Sequence, residues 1–135
     1  MPRAMHLLLR TLVIAAPLAA PAFAADLNDC SEPALKAENT KTYDQLKKAG
    51  DIAERMRPTS FYFFGEADKI TAISKVLTEN GFVMAEASDG GKAIIAATNA
   101  AMVPDTFDQL TIKVCVTANT TGVTYDGWET VVVKK

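Results

Sequence analysis

The chain is predicted to have an α+β fold built on an antiparallel sheet, on the basis of three observations. Strand patterns and helix patterns alternate after Pro58. The segment from Ala67 to Leu77 has apolar residues at the spacing of one helical face. Two strand patterns are separated only by the turn signal Asp89-Gly90-Gly91, which is typical of an antiparallel pair. The 135 residues are enough for one small domain of this class.

The first 24 residues have the features of a cleavable secretory signal. A basic start is followed by the apolar run Thr11–Ala20 and then by Ala22-Phe23-Ala24, with small residues where a signal peptidase cuts. Pro17 interrupts the run, which falls short of the roughly 20 apolar residues that a membrane-spanning helix takes. We therefore expect cleavage after Ala24 and a periplasmic or secreted protein with no membrane anchor.

Cleavage would change the chemistry available to the chain. It removes the only histidine, His6, and leaves 12 basic residues against 16 acidic ones, a net charge of −4. Scattered lysines on an acidic domain argue against nucleic-acid binding, which relies on clustered basic residues. Two distant cysteines and scattered carboxylates form no metal-ligand pattern. We expect no cofactor, no metal, no catalytic residue and no enzyme activity.

Two cysteines, Cys30 and Cys115, remain after cleavage. In an oxidising compartment an even number of cysteines favours a disulfide, and this is the pairing we expect. The alternative is two unrelated thiols, with Cys115 a small buried apolar residue.

Residues 25–57 are predicted to be a helical lead-in to the main domain. A helix is expected over Lys41–Lys48, followed by a turn at Gly50-Asp51 and a second short helical piece. Pro58 ends this region and begins the second unit, residues 58–135.

The first half of the second unit is predicted as strand, helix and a strand pair. Thr59–Phe64 is dense in aromatic residues and indicates a buried strand. The helix over Ala67–Leu77 is expected to end at Asn80-Gly81, with glycine just past its end. Phe82–Ala87 and Lys92–Thr98 are then expected to pair as antiparallel strands.

The segment Thr106–Ala118 contains conflicting signals. Its composition favours a strand, whereas Pro104-Asp105-Thr106 followed by Gln109 resembles a helix capping box, and Asn119–Gly122 is a stop signal. Since propensity is overridden by tertiary context, we predict a helix. The last strand is expected over Trp128–Lys134.

The resulting order after Pro58 is strand, helix, strand, strand, helix, strand. This is the split βαβ order of a ferredoxin-like βαββαβ sandwich. Its antiparallel sheet carries helices on one face, and the other face is free to bind something.

One string, Gly122-Val123-Thr124-Tyr125-Asp126-Gly127-Trp128-Glu129-Thr130, resembles the C-terminal signature of the ribonuclease E inhibitor family of the RraB type. Gln45–Asp51 resembles the lead-in of that family. Phe61–Phe64 with Ala67 and Gly81-Phe82 resembles its aromatic first strand, helix and Gly-Phe exit. The resemblance implies a ferredoxin-like fold and a non-enzymatic role, because family members bind ribonuclease E and modulate which RNAs it cuts.

The predicted export alters what the resemblance implies about partners. Ribonuclease E works in the cytoplasm, so we expect an exported chain of this family to bind a different protein. The alternatives are a small periplasmic hydrolase or ligand-binding protein that uses carboxylates, or a structural component of the envelope. Asp105 and Asp108, three residues apart near a predicted helix start, are interpreted as favouring the helix dipole rather than as acid–base groups.

The four residues Tyr125, Asp126, Gly127 and Trp128 are the candidate partner-binding site. In the structural interpretation, glycine and aspartate form a turn that feeds the last strand, and the two rings pack against a helix end. In the functional interpretation, the rings are a partly exposed aromatic anchor for a partner.

Overall fold

The computed structural model describes residues 6–7 and 27–135, so the predicted signal and its cleavage after Ala24 lie outside the described residues apart from one dipeptide. No helix within the described parts is long and apolar enough to cross a membrane. The elements are β1 (His6–Leu7), α1 (Glu32–Lys48), β2 (Arg57–Phe64), α2 (Ala67–Glu79), β3 (Val83–Met84), β4 (Ala93–Ala100), α3 (Pro104–Thr121) and β5 (Thr124–Val131).

The strands form one antiparallel sheet in the order β1-β5-β2-β4-β3. The two-residue β1 pairs with the end of β5. The other four strands, with α2 and α3 between them, have the order and directions of the ferredoxin-like sandwich, and α1 precedes them. The predicted fold class is therefore confirmed.

The core lies between the sheet and the helices. Alternate residues of β2 are buried, so Thr59, Phe61 and Phe63 point to the helical side. On α2 the buried positions are Ile70, Ile73 and Leu77, as the helical spacing predicts. Both α2 and α3 pack on this side of the sheet, and α1 packs against α3.

The helical lead-in is one helix that starts nine residues before the predicted segment Lys41–Lys48. The hydroxyl of Ser31 accepts a hydrogen bond from the N–H of Ala34 at 3.4 Å, and Pro33 lies in the first turn. This N-cap and the favourable proline position explain the early start.

The second short helical piece predicted after Gly50 is absent from the described structure. The backbone there bonds to other elements instead. The N–H of Ile52 donates to the carbonyl of Val133 at 2.8 Å, and the N–H of Met102 donates to the carbonyl of Ala53 at 2.8 Å. These tertiary hydrogen bonds occupy groups that a helix would have used.

Helix α3 confirms the helical interpretation of the conflicting segment, but it begins at Pro104 and the predicted capping box does not form. Its N-cap is Val103, which makes no side-chain cap, and the hydroxyl of Thr106 donates back to the Val103 carbonyl at 3.3 Å. The helix ends at Gly122, which adopts a left-handed φ of +83°.

The strand pair β3–β4 forms as predicted, although β3 covers only Val83–Met84 of the expected Phe82–Ala87. The connection turns at Asp89, Gly90 and Gly91, which all have positive φ.

Candidate functional site

The string Tyr125–Trp128 lies inside β5 rather than in a turn before the last strand, so the predicted strand start at Trp128 is wrong. In the register with β2, Phe61 is opposite Trp128 and Phe63 is opposite Tyr125. Between these two pairs, one residue of β2 therefore lies opposite two residues of β5. The strand contains an extra residue, which is a β-bulge.

The bulge is at Asp126 and Gly127, which together lie opposite Tyr62. Gly127 has a φ of +95°, which side chains other than hydrogen disfavour. Because of the extra residue, Tyr125 and Trp128 point to the same side of the sheet despite their odd spacing. Both are buried, with 2% and 0% of their surface exposed. The partly exposed anchor of the functional interpretation is therefore wrong for the two rings, and a partner contact through Asp126 stays a prediction.

We expect Gly127→Ala to lower the free energy of unfolding by about 1–2 kcal/mol, because a Cβ is strained at this φ. Urea denaturation followed by circular dichroism measures the effect. Gly81→Ala is the matched control: its φ is +89° and an added Cβ meets nothing within 4 Å, so its loss reports the backbone strain alone. A Gly127→Ala variant as stable as the parent would show that the bulge does not need this backbone conformation.

Trp128 makes the buried contacts that join the string Tyr125–Trp128 to the helices. Its ring meets that of Phe107 edge-on, with 4.6 Å between centroids. Its indole Nε1–H donates to Oδ1 of Asn39 on α1 at 3.0 Å. The polar end of the ring is thus satisfied inside the core, and β5 is tied to both α1 and α3.

The same network continues through Asp108, which is 5% exposed. Asn39 Nδ2 lies 2.9 Å from both Asp108 Oδ1 and Thr111 Oγ1, and the hydroxyl of Tyr43 donates to the same Asp108 oxygen at 2.6 Å. Burial, and then this hydrogen bond, raise the pKa of Tyr43. Asp105 does lie in the first turn of α3 as predicted, whereas Asp108 is a buried structural acceptor.

Tyr125 differs from Trp128 in the hydrogen bonding of its polar atom. Its hydroxyl is buried and has no hydrogen-bond partner among the described residues. Burial, and to a smaller extent the charge of Asp126, raise the pKa of Tyr125. The phenol ring therefore contributes packing, while its hydroxyl is a destabilising feature of the core.

We expect Tyr125→Phe to raise the free energy of unfolding by about 1 kcal/mol at neutral pH, because it removes a buried unpaired hydroxyl. In the parent, an unfolded tyrosine ionises near pH 10 while the buried one keeps its proton, so stability falls as the pH rises above about 10. The variant should lose about 1.4 kcal/mol less per pH unit in that range.

Urea denaturation at neutral and alkaline pH measures both effects of Tyr125→Phe. Tyr43→Phe is the control, because it also removes a tyrosine of raised pKa but takes a donor from buried Asp108. It should be less stable than the parent at neutral pH. If Tyr125→Phe is also destabilising there, its hydroxyl has a partner after all.

The predicted disulfide between Cys30 and Cys115 is present, with the two Cα atoms 5.5 Å apart. It joins the segment before α1 to the middle of α3, across 85 residues of chain.

An asparagine pair beside the disulfide was not predicted. Asn28, which is 3% exposed, donates from Nδ2 to Asn119 Oδ1 at 2.7 Å and to the Val123 carbonyl at 3.1 Å. Its own Oδ1 accepts from the N–H of Tyr125 at 2.8 Å. Asn28 thereby provides hydrogen-bond partners for backbone groups at the junction of α3 and β5. No sequence pattern predicts this role.

The side of the sheet away from the helices forms a second candidate surface, which we call the open face. Its central residues are Tyr62 and Phe64 of β2, Ile95 of β4, and Asp126 and Glu129 of β5. The open-face positions of β2 to β5, all within the described residues, carry no Lys or Arg.

The open face combines aromatic and acidic groups. The hydroxyl of Tyr62 donates to the carboxylate of Glu129. Phe64 is 41% exposed, a high value for a phenylalanine in a sheet. A depression of about 230 Å³ is lined by Phe64 together with Tyr62, Ile95 and Glu86.

A larger groove of about 690 Å³ runs beside the C-terminal half of α1. Its lining includes Tyr43, Asp44, Lys47 and Glu54. The lining of this groove carries charges of both signs.

Comparison with known protein families identifies the family of this chain. The family model described as "Regulator of ribonuclease activity B" (RraB) matches residues 36–130, more than half of the chain. The chain belongs to this family. No curated protein matches it.

The strings that resemble the RraB family each contribute buried residues to the fold. Trp128 anchors β5 as described above. At the end of the string Gln45–Asp51, the Asp51 carboxylate lies 2.9 Å from Nη1 of Arg57, and both side chains are 1–2% exposed. Asp51 also accepts from the N–H of Val133 at 2.8 Å. The buried residues of these strings thus stabilise the fold.

The sequence predicted a free sheet face in this RraB-family chain but did not assign residues to it, because the aromatic residues sit in one apolar run. In Phe61-Tyr62-Phe63-Phe64 the first and third rings enter the core, while Tyr62 and Phe64 face the other side. The available signal was the alternation itself, since only one side of a ferredoxin-like sheet is covered by helices.

Among the described residues, no group of three or more His, Cys, Asp or Glu is placed to hold a metal ion.

Proposed function

We propose that this chain is a non-enzymatic regulatory module that is exported and acts by binding another protein. The observation that carries the proposal is the family match over residues 36–130, because the RraB family consists of regulators of a ribonuclease. The proposal keeps the regulatory role of the family and assigns it a partner other than ribonuclease E.

Export is proposed from the N-terminal sequence, whose apolar run Thr11–Ala20 is followed by small residues at Ala22 and Ala24. The disulfide supports the proposal, because such bonds persist mainly in oxidising compartments. Ribonuclease E is cytoplasmic, so a periplasmic member of the family would regulate a different protein.

Mass spectrometry of the tagged protein from separated cell compartments tests the export. We expect a chain that begins at Ala25, is found outside the cytoplasm and has Cys30 joined to Cys115. An intact chain in the cytoplasm with two free thiols would refute this half of the proposal.

Site-specific photo-crosslinking in cells tests the binding. A photoreactive residue at Ser60, on the open face, is expected to yield one reproducible crosslinked protein. The same residue at Lys75, on α2, is the control and should not yield it. Failure to crosslink from Ser60 and from a set of positions over the whole described surface would refute a stable protein partner.

A further inference from the structure

We infer that removal of the predicted signal frees the outer edge of β5, and that an extended, apolar segment of the partner protein pairs with this edge as an added strand. The inference rests on the proposed function, from which it takes the cleavage after Ala24 and the protein partner. It adds the binding surface and the mode of recognition, in which backbone hydrogen bonds give much of the affinity.

In the full chain, the outer edge of β5 is occupied by β1. β5 pairs with β2 on one side and with β1 on the other, where His6 is opposite Val131 and Leu7 is opposite Thr130. β1 lies within the predicted signal and is the outermost strand on that side of the sheet. Cleavage after Ala24 would therefore leave β5 as an edge strand.

The backbone groups of Thr130 point away from β2. The N–H of Tyr125 donates to Asn28 Oδ1 at 2.8 Å, so it also points away from β2. On β2, Phe63 is opposite Tyr125 and Thr59 is opposite Thr130. The direction of backbone groups alternates along an antiparallel strand, so Phe63 and Thr59, four residues apart, belong to pairs of the same kind. Thr130 therefore offers its N–H and its C=O to a strand at the outer edge.

Groups of this chain cover the outer edge on both sides of that position. One end is covered by Asn28, as described above. At the other end, the N–H of Val133 donates to Asp51 Oδ1 and its carbonyl accepts from the N–H of Ile52, both at 2.8 Å. The part of the edge between them, Trp128–Val132, is called the edge window.

The edge window lacks the usual protection of a free sheet edge. Natural edge strands are commonly very short, or carry lysine or proline. The opposite edge strand, β3, has only two residues. The edge window contains neither lysine nor proline, and three of its residues are β-branched: Thr130, Val131 and Val132. Such residues pair best with apolar, strand-forming neighbours, so the window favours an extended apolar segment.

A second copy of this chain does not fit the edge window. In every copy, the segments containing Asn28 and Ile52 are hydrogen-bonded along the same edge of β5. Two β5 strands brought together edge to edge would have these segments between them. A single extended segment of another protein meets no such obstacle, because it needs only the length of the window.

Fluorescence anisotropy with a labelled octapeptide tests the inference. The probe has the sequence of residues 3–10, which includes β1. Two forms of the protein are compared under oxidising conditions: the full-length chain from cell-free synthesis, and the chain recovered from cells, which is expected to begin at Ala25. We expect the second to bind at least about tenfold more tightly, because a tethered occupant competes at a high effective concentration.

Backbone N-methylation distinguishes strand pairing from non-specific apolar binding. A probe N-methylated at the positions of His6 and Leu7 cannot pair as β1 does, and we expect it to bind at least about tenfold more weakly. The control probe carries its two N-methyl groups at the positions of Ala4 and Arg10, beyond the length of the edge window. It should bind almost as tightly as the unmodified probe.

Amide hydrogen exchange followed by NMR locates the site. The amide of Thr130 should exchange at least about tenfold faster in the chain recovered from cells than in the full-length chain, and the probe should protect it again. The amide of Glu129 points towards β2 by the same alternation and is the internal control. Its exchange should change little.

Several outcomes would overturn the inference. Equal binding of all three probes would indicate apolar adhesion without strand pairing. Binding that leaves the Thr130 amide unprotected would place the probe elsewhere. A dimer of the chain recovered from cells, seen by light scattering and with Thr130 protected in it, would assign the edge window to a second copy.

The inference and the proposed function fail in distinguishable ways. If the protein that crosslinks from Ser60 does so at equal yield in a cell extract saturated with the unmodified probe, the function stands and the inference is wrong. If the probe protects Thr130 as expected but no cellular protein is crosslinked, the edge window accepts strands and the proposed function is wrong.

Discussion

Replacing Trp128 with alanine is expected to lower the free energy of unfolding by about 4 kcal/mol, the largest effect of any single side chain in this core. Trp128 is the largest fully buried side chain, and its surface is 0% exposed. Truncation leaves a cavity against Phe107 and removes the donor to Asn39 Oδ1. The variant loses the chain's only tryptophan, so urea denaturation should be followed by far-ultraviolet circular dichroism.

Trp128→Phe separates the two parts of this effect. Phenylalanine keeps most of the ring packing and loses the indole N–H, so its deficit should be about 1–2 kcal/mol. A loss below about 1 kcal/mol for Trp128→Ala would mean that the ring is not a core anchor. If such a variant also failed to capture the partner, the exposed-anchor interpretation of this residue would be restored.

The order of elements was predictable because periodicity and punctuation agree over most of the chain. The helical face of α2 and the glycine after it leave little choice of structure. The segment of α3 has a strand-like composition but forms a helix. Its stop signals and the burial of one helical face, which includes Phe107, Val114 and Cys115, favour the helix. Tertiary packing of that face outweighs the small propensity differences of its residues.

The environment of Tyr125 and Trp128 was not predictable from their sequence spacing. Strict alternation in a strand would put residues three apart on opposite faces. Only the bulge at Asp126-Gly127 brings both rings into the core. A glycine next to an aspartate is equally typical of a turn, and the choice between turn and bulge depends on pairing with β2, which is distant in sequence.

The residues of the open face were not identified from the sequence for a related physical reason. A continuous apolar run is typical of a strand with both faces buried, so Thr59–Phe64 was interpreted as buried throughout. Among the described residues, the helices lie on one side of the sheet, and Tyr62 and Phe64 are on the other side. Aromatic residues at such positions add little to the core. Their placement makes the open face, rather than the buried rings of Tyr125 and Trp128, the better candidate for a partner.

Removing the disulfide is expected to have an effect of similar size to the loss of Trp128. The bond closes a loop of 85 residues, for which the chain-entropy model gives a stabilisation of about 4–5 kcal/mol. The double variant Cys30→Ala, Cys115→Ala should lose about this amount relative to the oxidised parent in urea denaturation. Alanine is preferred to serine because Cys115 is 0% exposed.

The reduced parent is the matched control, because it lacks the same constraint without a change of sequence. It should denature at nearly the same urea concentration as the double variant. A parent whose stability does not respond to a thiol reductant would contradict the assigned role of the bond.

The disulfide also relates stability to compartment. In a reducing compartment the chain would keep the Trp128–Asn39–Asp108 network but lose the link that holds the segment before α1 against α3. A small domain has only about 5–15 kcal/mol of stability in total, so a loss of about 4 kcal/mol is a large share of it. We therefore expect the oxidised chain to accumulate and the reduced chain to be degraded faster, which pulse-chase labelling in the two compartments would measure. Such a difference would confine the working protein to an oxidising compartment, away from the cytoplasmic ribonuclease that its family regulates.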